Sequence, residues 1–102
     1  MKNNKIIGHF NLNSVTWLIE EDKDIFELES SFGKCHSKER VIRITNNIKP
    51  DLRDLVLWHE ITHSILDDMG RNDLYENEEF VYAMANSISQ VLKSLELDRE
   101  GY

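Results

Sequence analysis

Two histidines four residues apart with a glutamate between them, His59-Glu60-Ile61-Thr62-His63, are the residues of this chain best placed to do chemistry. On a helix, positions i and i+4 project from one face, about one 5.4 Å turn apart. Two imidazoles so spaced can converge on one metal ion, with Zn–N bonds of about 2.0 Å. Glu60 leans roughly 100° around the axis, beside the metal and not on it. From there a carboxylate can take a proton from water whose pKa a zinc ion lowers to about 7. The competing reading is two core-facing histidines with a solvated Glu60. The motif falls inside an amphipathic helical pattern, the context its chemistry demands, and that favours the metal.

A catalytic zinc needs a third protein ligand and one open position. Asp67 follows His63 on the same stripe, but it sits about 12 Å along the axis from His59. It is better suited to orienting a histidine or facing water. The next helical segment offers Glu76, Glu78 and Glu79. Glu78 lies three residues before Val81 and seven before Ala85, so it borders the apolar seam. Glu79 stacks instead over Tyr82, Ala83 and Asn86, and Glu76 sits on the far flank near the helix start. If the seam packs on the His-bearing helix, Glu78 reaches the metal best, ahead of its two neighbours.

Two helices must therefore hold the site. From residue 50 the periodicity turns helical: Leu52, Leu55, Val56, His59, His63, Leu66 and Met69 recur at three- and four-residue spacing. Pro50 or Asp51 starts this helix and Gly70 follows its end, giving a span of 50–69. The second helix is expected over 77–95. Val81, Met84, Ile88, Val91 and Leu95 form its seam, flanked by Phe80, Ala85 and Leu92. The charged tail from Glu96 is expected to fray.

Residues 1–48 are strand-rich. Segments 5–10 and 15–20 carry β-branched and aromatic residues, with turn chemistry at Asn11, Asn13 and Ser14 between them. Phe26–Ser31 reads equally as a short helix or a loop. Phe32–Cys35 and Val41–Thr45 form two more strands, the second alternating as a half-buried strand does. The expected fold is one α+β domain over 1–102: three or four antiparallel strands packed on the His-bearing helix, with the glutamate helix behind.

A chain of 102 residues that is 40% hydrophobic and 30% charged suits one small globular domain. Its net charge of −7, with no basic cluster beyond Lys38-Glu39-Arg40, argues against nucleic acid as the main partner. The single cysteine, Cys35, rules out an intrachain disulfide framework. No apolar run approaches the roughly 20 residues of a membrane span, and the start does not read as a signal peptide. A cytoplasmic location is the simplest expectation.

The remaining chemistry-bearing residues read more plainly. His9 and His36 are expected at the surface or hydrogen-bonded, and Trp17 and Trp58 in or near the core. Cys35 lacks an evident activating environment, though a latent state with zinc on its thiol is conceivable. Tyr75 and Tyr82 flank the glutamate ligand and could donate a hydrogen bond to an oxyanion, or simply pack.

His59-Glu60-Ile61-Thr62-His63 followed by Glu78-Glu79-Phe80-Val81 and Met84-Ala85 resembles the gluzincin metallopeptidases. More narrowly, it is similar to small phage- and prophage-encoded peptidases of the ImmA/IrrE type. The resemblance spans most of residues 15–92 and includes Phe32-Gly33 and the strand Val41–Thr45, which in such enzymes edges the cleft and pairs with extended substrate. It implies His59, His63 and Glu78 as zinc ligands, Glu60 as catalytic base, and a peptide or protein substrate in a bacterial host cell. Where that group has a small-polar-x-aromatic-Ala run after the glutamate, this chain has Val81-Tyr82-Ala83-Met84-Ala85. Two rivals stand beside peptide hydrolysis: a catalytically silent zinc-binding regulatory or anti-repressor protein, and an interaction module without metal. Glu60 favours an enzyme over the first, because metal binding alone does not need it. Stoichiometric zinc would remove the second.

Overall fold

Asn13 and Ser14 both adopt positive φ, 47° and 67°, the conformation of a two-residue type I′ turn whose twist matches the strands it joins. They close a hairpin between β1 (Lys5–Leu12) and β2 (Val15–Glu21), paired antiparallel with a bulge between Ile6 and Gly8. The computed structural model describes residues 4–24 and 32–98. The ambiguous Phe26–Ser31 stretch lies outside them.

β3 (Gly33–His36) and β4 (Val41–Ile44) form a second antiparallel pair. The sheet order is β1-β2-β4-β3, and β4 runs parallel to β2, with Leu18 opposite Val41 and Glu21 opposite Ile44. The sheet is therefore mixed, which corrects the antiparallel expectation. The β3–β4 hairpin enters with its second strand innermost, so β4 meets β2 head to head. β3, antiparallel to β4, makes the return that a parallel pairing of β2 with β4 requires. Flanked on both sides, β4 is buried at Val41, Ile42, Ile44 and the adjoining Thr45, more deeply than a half-buried strand. Among the described strands β3 is the outer one on this side, so the strand Val41–Thr45 lies inside the sheet and not at the cleft edge as expected.

α1 (Pro50–Asp68) begins with proline at its first position, where a missing N–H costs nothing and φ is already helical. It ends in a Schellman motif. Gly70 takes φ +71°, its N–H reaches the Asp67 carbonyl at 3.0 Å, and the Arg71 N–H reaches that of Leu66 at 2.9 Å. The chain then makes a single helical turn, α2 (Asn72–Tyr75), and enters α3 (Glu78–Ser94). Asn77 caps α3 by accepting the Phe80 N–H at 3.0 Å, which fixes Glu78 as the first helical residue.

Trp17, Ile42, Ile44 and Ile61 form a buried cluster that joins strands and α1, with Phe10 stacked on Trp17 and Val56, Leu57, Trp58 and Ile65 against its rim. Tryptophans 17 and 58 thus sit in and beside the core as expected. α3 lies over α1 through only part of the expected seam. Its buried residues are Val81, the flanking Ala85 and Ser89, whereas Met84 is 41%, Val91 57% and Leu95 57% exposed. Beyond Val81 the small Ala85 and Ser89 let the backbones approach. Ser89 also donates to Asp54 of α1 at 3.2 Å. No described helix is long and apolar enough to cross a membrane.

Candidate metal centre

The helical spacing of His59 and His63 brings their rings to 5.1 Å between centroids. Glu78, held in the first turn of α3 by the Asn77 cap, spans both: Oε2 lies 3.0 Å from His59 Nε2 and Oε1 3.1 Å from His63 Nε2. The three ligand atoms lie within 4.8 Å of one another. Around a tetrahedral zinc with bonds of about 2.0–2.1 Å, neighbouring ligand atoms stand roughly 3.3 Å apart. Ligand atoms this close could converge on one metal ion. Among the described residues it is the one group of three His, Cys, Asp or Glu side chains so arranged.

Glu78 reaches the histidines because Val81 and Ala85, the residues that point to it, are fully buried. It precedes Ala85 by seven residues and so shares the stripe that does pack on α1. Glu76 and Glu79 are exposed and stand outside the group. Asp67 pairs with Arg40 at 3.2 Å and not with a histidine. His9 is exposed on β1, and His36 closes β3 outside the metal group.

His63 is 7% exposed, and burial pushes its pKa down, an effect the nearby Glu78 carboxylate partly opposes. The imidazole is held toward the neutral form that a metal requires. Its Nδ1 is buried without a hydrogen-bond partner. The Tyr75 backbone lies close enough to oppose the lowering of the ring's pKa, and the Tyr75 ring packs edge-on at 4.7 Å.

Glu60 is 7% exposed and ligates nothing in the triad. Burial, with a smaller contribution from the Glu78 charge, pushes its pKa up to about 8. It shares a cleft of about 510 Å³ with the three ligands, Tyr75 and the β3 residues Gly33–Cys35. A smaller pocket of about 260 Å³ adjoins on the other side of His59 and Glu60, walled by Phe32, Leu52, Leu55, Val56 and Tyr82.

Cys35 lines the cleft as a thiol whose pKa burial raises, in reach of the Tyr75 and Ser37 hydroxyls. It does not join the ligand group. Tyr75 hydrogen-bonds Ser37 at 3.4 Å, while Tyr82 is 55% exposed with its ring 6.4 Å from His59. The resemblance includes Phe32-Gly33, and the structure shows what Gly33 does there. A Cβ there would stand 2.7 Å from Val56 Cγ1 and 3.1 Å from Glu60 Cγ. A lone glycine within a strand pattern marks such close approaches, and that signal was available.

Set against protein families, curated proteins and solved structures, the chain matches none. The meaning of the centre rests on its own geometry.

Proposed function

We propose that this chain is a zinc-dependent peptide hydrolase with a gluzincin-like centre, in which His59, His63 and Glu78 hold the metal and Glu60 is the general base. The observation that carries the reading is the Glu78 carboxylate spanning both Nε2 atoms at 3.0 and 3.1 Å, with Glu60 buried beside it. Two imidazole nitrogens and one carboxylate are a donor set that suits zinc and leaves a fourth position open. When bound, zinc supplies a Lewis acid that polarises a peptide carbonyl and lowers the pKa of water.

Glu60 then accepts the proton of the attacking water and returns it to the leaving amine. β3 lines the same cleft through Gly33, Lys34 and Cys35. The apolar pocket beside Glu60 has room for a substrate side chain. The silent zinc-binding alternative gives no reason for Glu60 to be buried, since a carboxyl withdrawn from water without ligating costs free energy. The test is zinc content together with cleavage of a mixed peptide library. Parent protein should carry about one zinc per chain and cleave. Glu60→Gln should keep the zinc and lose cleavage, and Glu60→Gln cleaving at the parental rate would overturn the base assignment.

A further inference from the structure

One flank of α3 is built unlike a solvent-exposed surface. Met84, Val91, Leu92 and Leu95 are 41%, 57%, 50% and 57% exposed. Together with the half-buried Ile88 they form a continuous apolar strip that runs beside the buried stripe of Val81, Ala85 and Ser89. Ser87 leaves a dent among Met84, Ile88, Val91 and Leu92, a shallow groove of about 320 Å³.

The charge pattern singles out this helix further. In a chain that is 30% charged, residues 80–95 carry one charged side chain, Lys93. Lys93 is exposed on another side of the helix, where it pairs with Asp54 of α1 at 3.5 Å. The strip and its margins at Ala83, Ser87 and Ser94 are therefore neutral.

We propose that this face docks a second copy of the chain, α3 against α3, antiparallel about a two-fold axis. Met84, Ile88, Val91 and Leu95 are spaced four, three and four residues apart, the a/d spacing with which one helix interlocks with another of the same pattern. A strip with that spacing is its own complement. A neutral strip is also what two copies each carrying −7 need in order to approach. Direction follows from the ends of the helix. A parallel pairing sets the first-turn Glu78 and Glu79 beside their own copies, whereas an antiparallel one separates them by the length of the helix. With the axis between Ile88 and Val91, Met84 meets the partner's Leu95 and the groove at Ser87 receives an apolar side chain. The seam lies beyond the first turn of α3, so the cleft at Glu78 stays open in the dimer.

A pairing of three helical turns buries less than the roughly 1,600 Å² of a standard interface, so dissociation in the micromolar range is expected. Sedimentation equilibrium of the full chain, from about 1 to 200 μM, should show its 12.0 kDa mass doubling with concentration. Val91→Glu and Leu95→Glu, at positions already exposed, should keep the helical circular dichroism and bound zinc of the parent. Each should weaken dimerisation at least about a hundredfold, because two carboxylates enter the seam. Ile6→Glu, at an exposed apolar residue on β1, should leave it unchanged. A parent chain that stays monomeric throughout would overturn the proposal. So would a dimer that survives both seam variants, or one that Ile6→Glu abolishes.

Discussion

Gly33 and Glu60 are packed so closely that a single added carbon would force one of them to move. The Cβ that glycine lacks would stand 3.1 Å from Glu60 Cγ, 2.7 Å from Val56 Cγ1 and 3.3 Å from the Arg43 carbonyl oxygen. The edge strand is thereby held flush against α1, and Glu60 is shut into the wall of the cleft at 7% exposure. Its burial, and with it the raised pKa, depends on a missing side chain on another element.

Gly33→Ala should destabilise the chain by about 1–3 kcal/mol, the usual penalty for overpacking. Val56 is stiff at its branched Cβ and the Arg43 carbonyl belongs to β4, so neither yields freely. Val56→Ala in the same chain should recover part of the loss, because it removes the methyl at 2.7 Å. Urea unfolding of the two single variants and the double variant measures this coupling. Additive losses would mean that the contact does not exist.

The metal ligands separate by variant. Glu78→Gln should lower zinc affinity by more than about a hundredfold, since it removes the anionic donor; even outer partners of a metal site cost 10–100-fold. Glu79→Gln, on an exposed side chain one position along, should leave affinity unchanged and stability within about 0.5 kcal/mol. Chelator competition on both variants decides it, and a larger loss for Glu79→Gln would reverse the assignment.

Burial of Glu60 gives the metal-free protein a pH signature. The group titrates near 4.5 when unfolded and at about 8 when folded, so between these values the folded state binds more protons. Its contribution to stability is fully present below 4.5 and is lost as pH rises through 8. Glu60→Gln cannot ionise. Its stability relative to the parent should be smallest at pH 4.5 and rise to a gap on the order of a few kcal/mol by pH 9. Comparing the two chains removes the titration that they share. Thermal melts in chelator across this range test it, and a constant gap would show that Glu60 is solvated.

Much of the site could be read because local spacing encodes it. The offset of His59 and His63 needs only a helix, and Pro50 and Gly70 bracket that helix. The Asn13-Ser14 turn announced itself through residues that tolerate positive φ. The parallel pairing of β2 with β4 is a relation between distant segments, and nothing in either strand's alternation specifies a partner. α2 escaped notice because Asn72–Tyr75 is too short for periodicity, yet it is the turn that brings Tyr75 over His63. On α3 the apolar spacing marks Val81 and Ala85, which are buried, but not Ser89, and it includes Met84, Val91 and Leu95, which stay exposed. Glu78 is legible because Val81 and Ala85 alone place it.

That division of α3 makes the sharpest prediction. Ala85 is fully buried where α3 crosses α1, while Met84, its neighbour in sequence, is 41% exposed. Ala85→Leu must either distort both helices or push them apart, at a cost of about 1–3 kcal/mol. Because Glu78 is two turns up the same stripe, a displaced α3 also draws its carboxylate away from His59 and His63, so zinc affinity should fall together with stability. Met84→Ala removes a larger side chain but leaves no enclosed void, so it should cost less than about 1 kcal/mol and leave zinc affinity at the parental value. Both variants are best measured below the micromolar range, where any pairing through Met84 is dissociated. Denaturant unfolding gives the stability and chelator competition the affinity. If Met84→Ala proved the more damaging on both counts, α3 would pack on α1 through its large apolar residues, and the stripe that carries Glu78 to the histidines would be the wrong one.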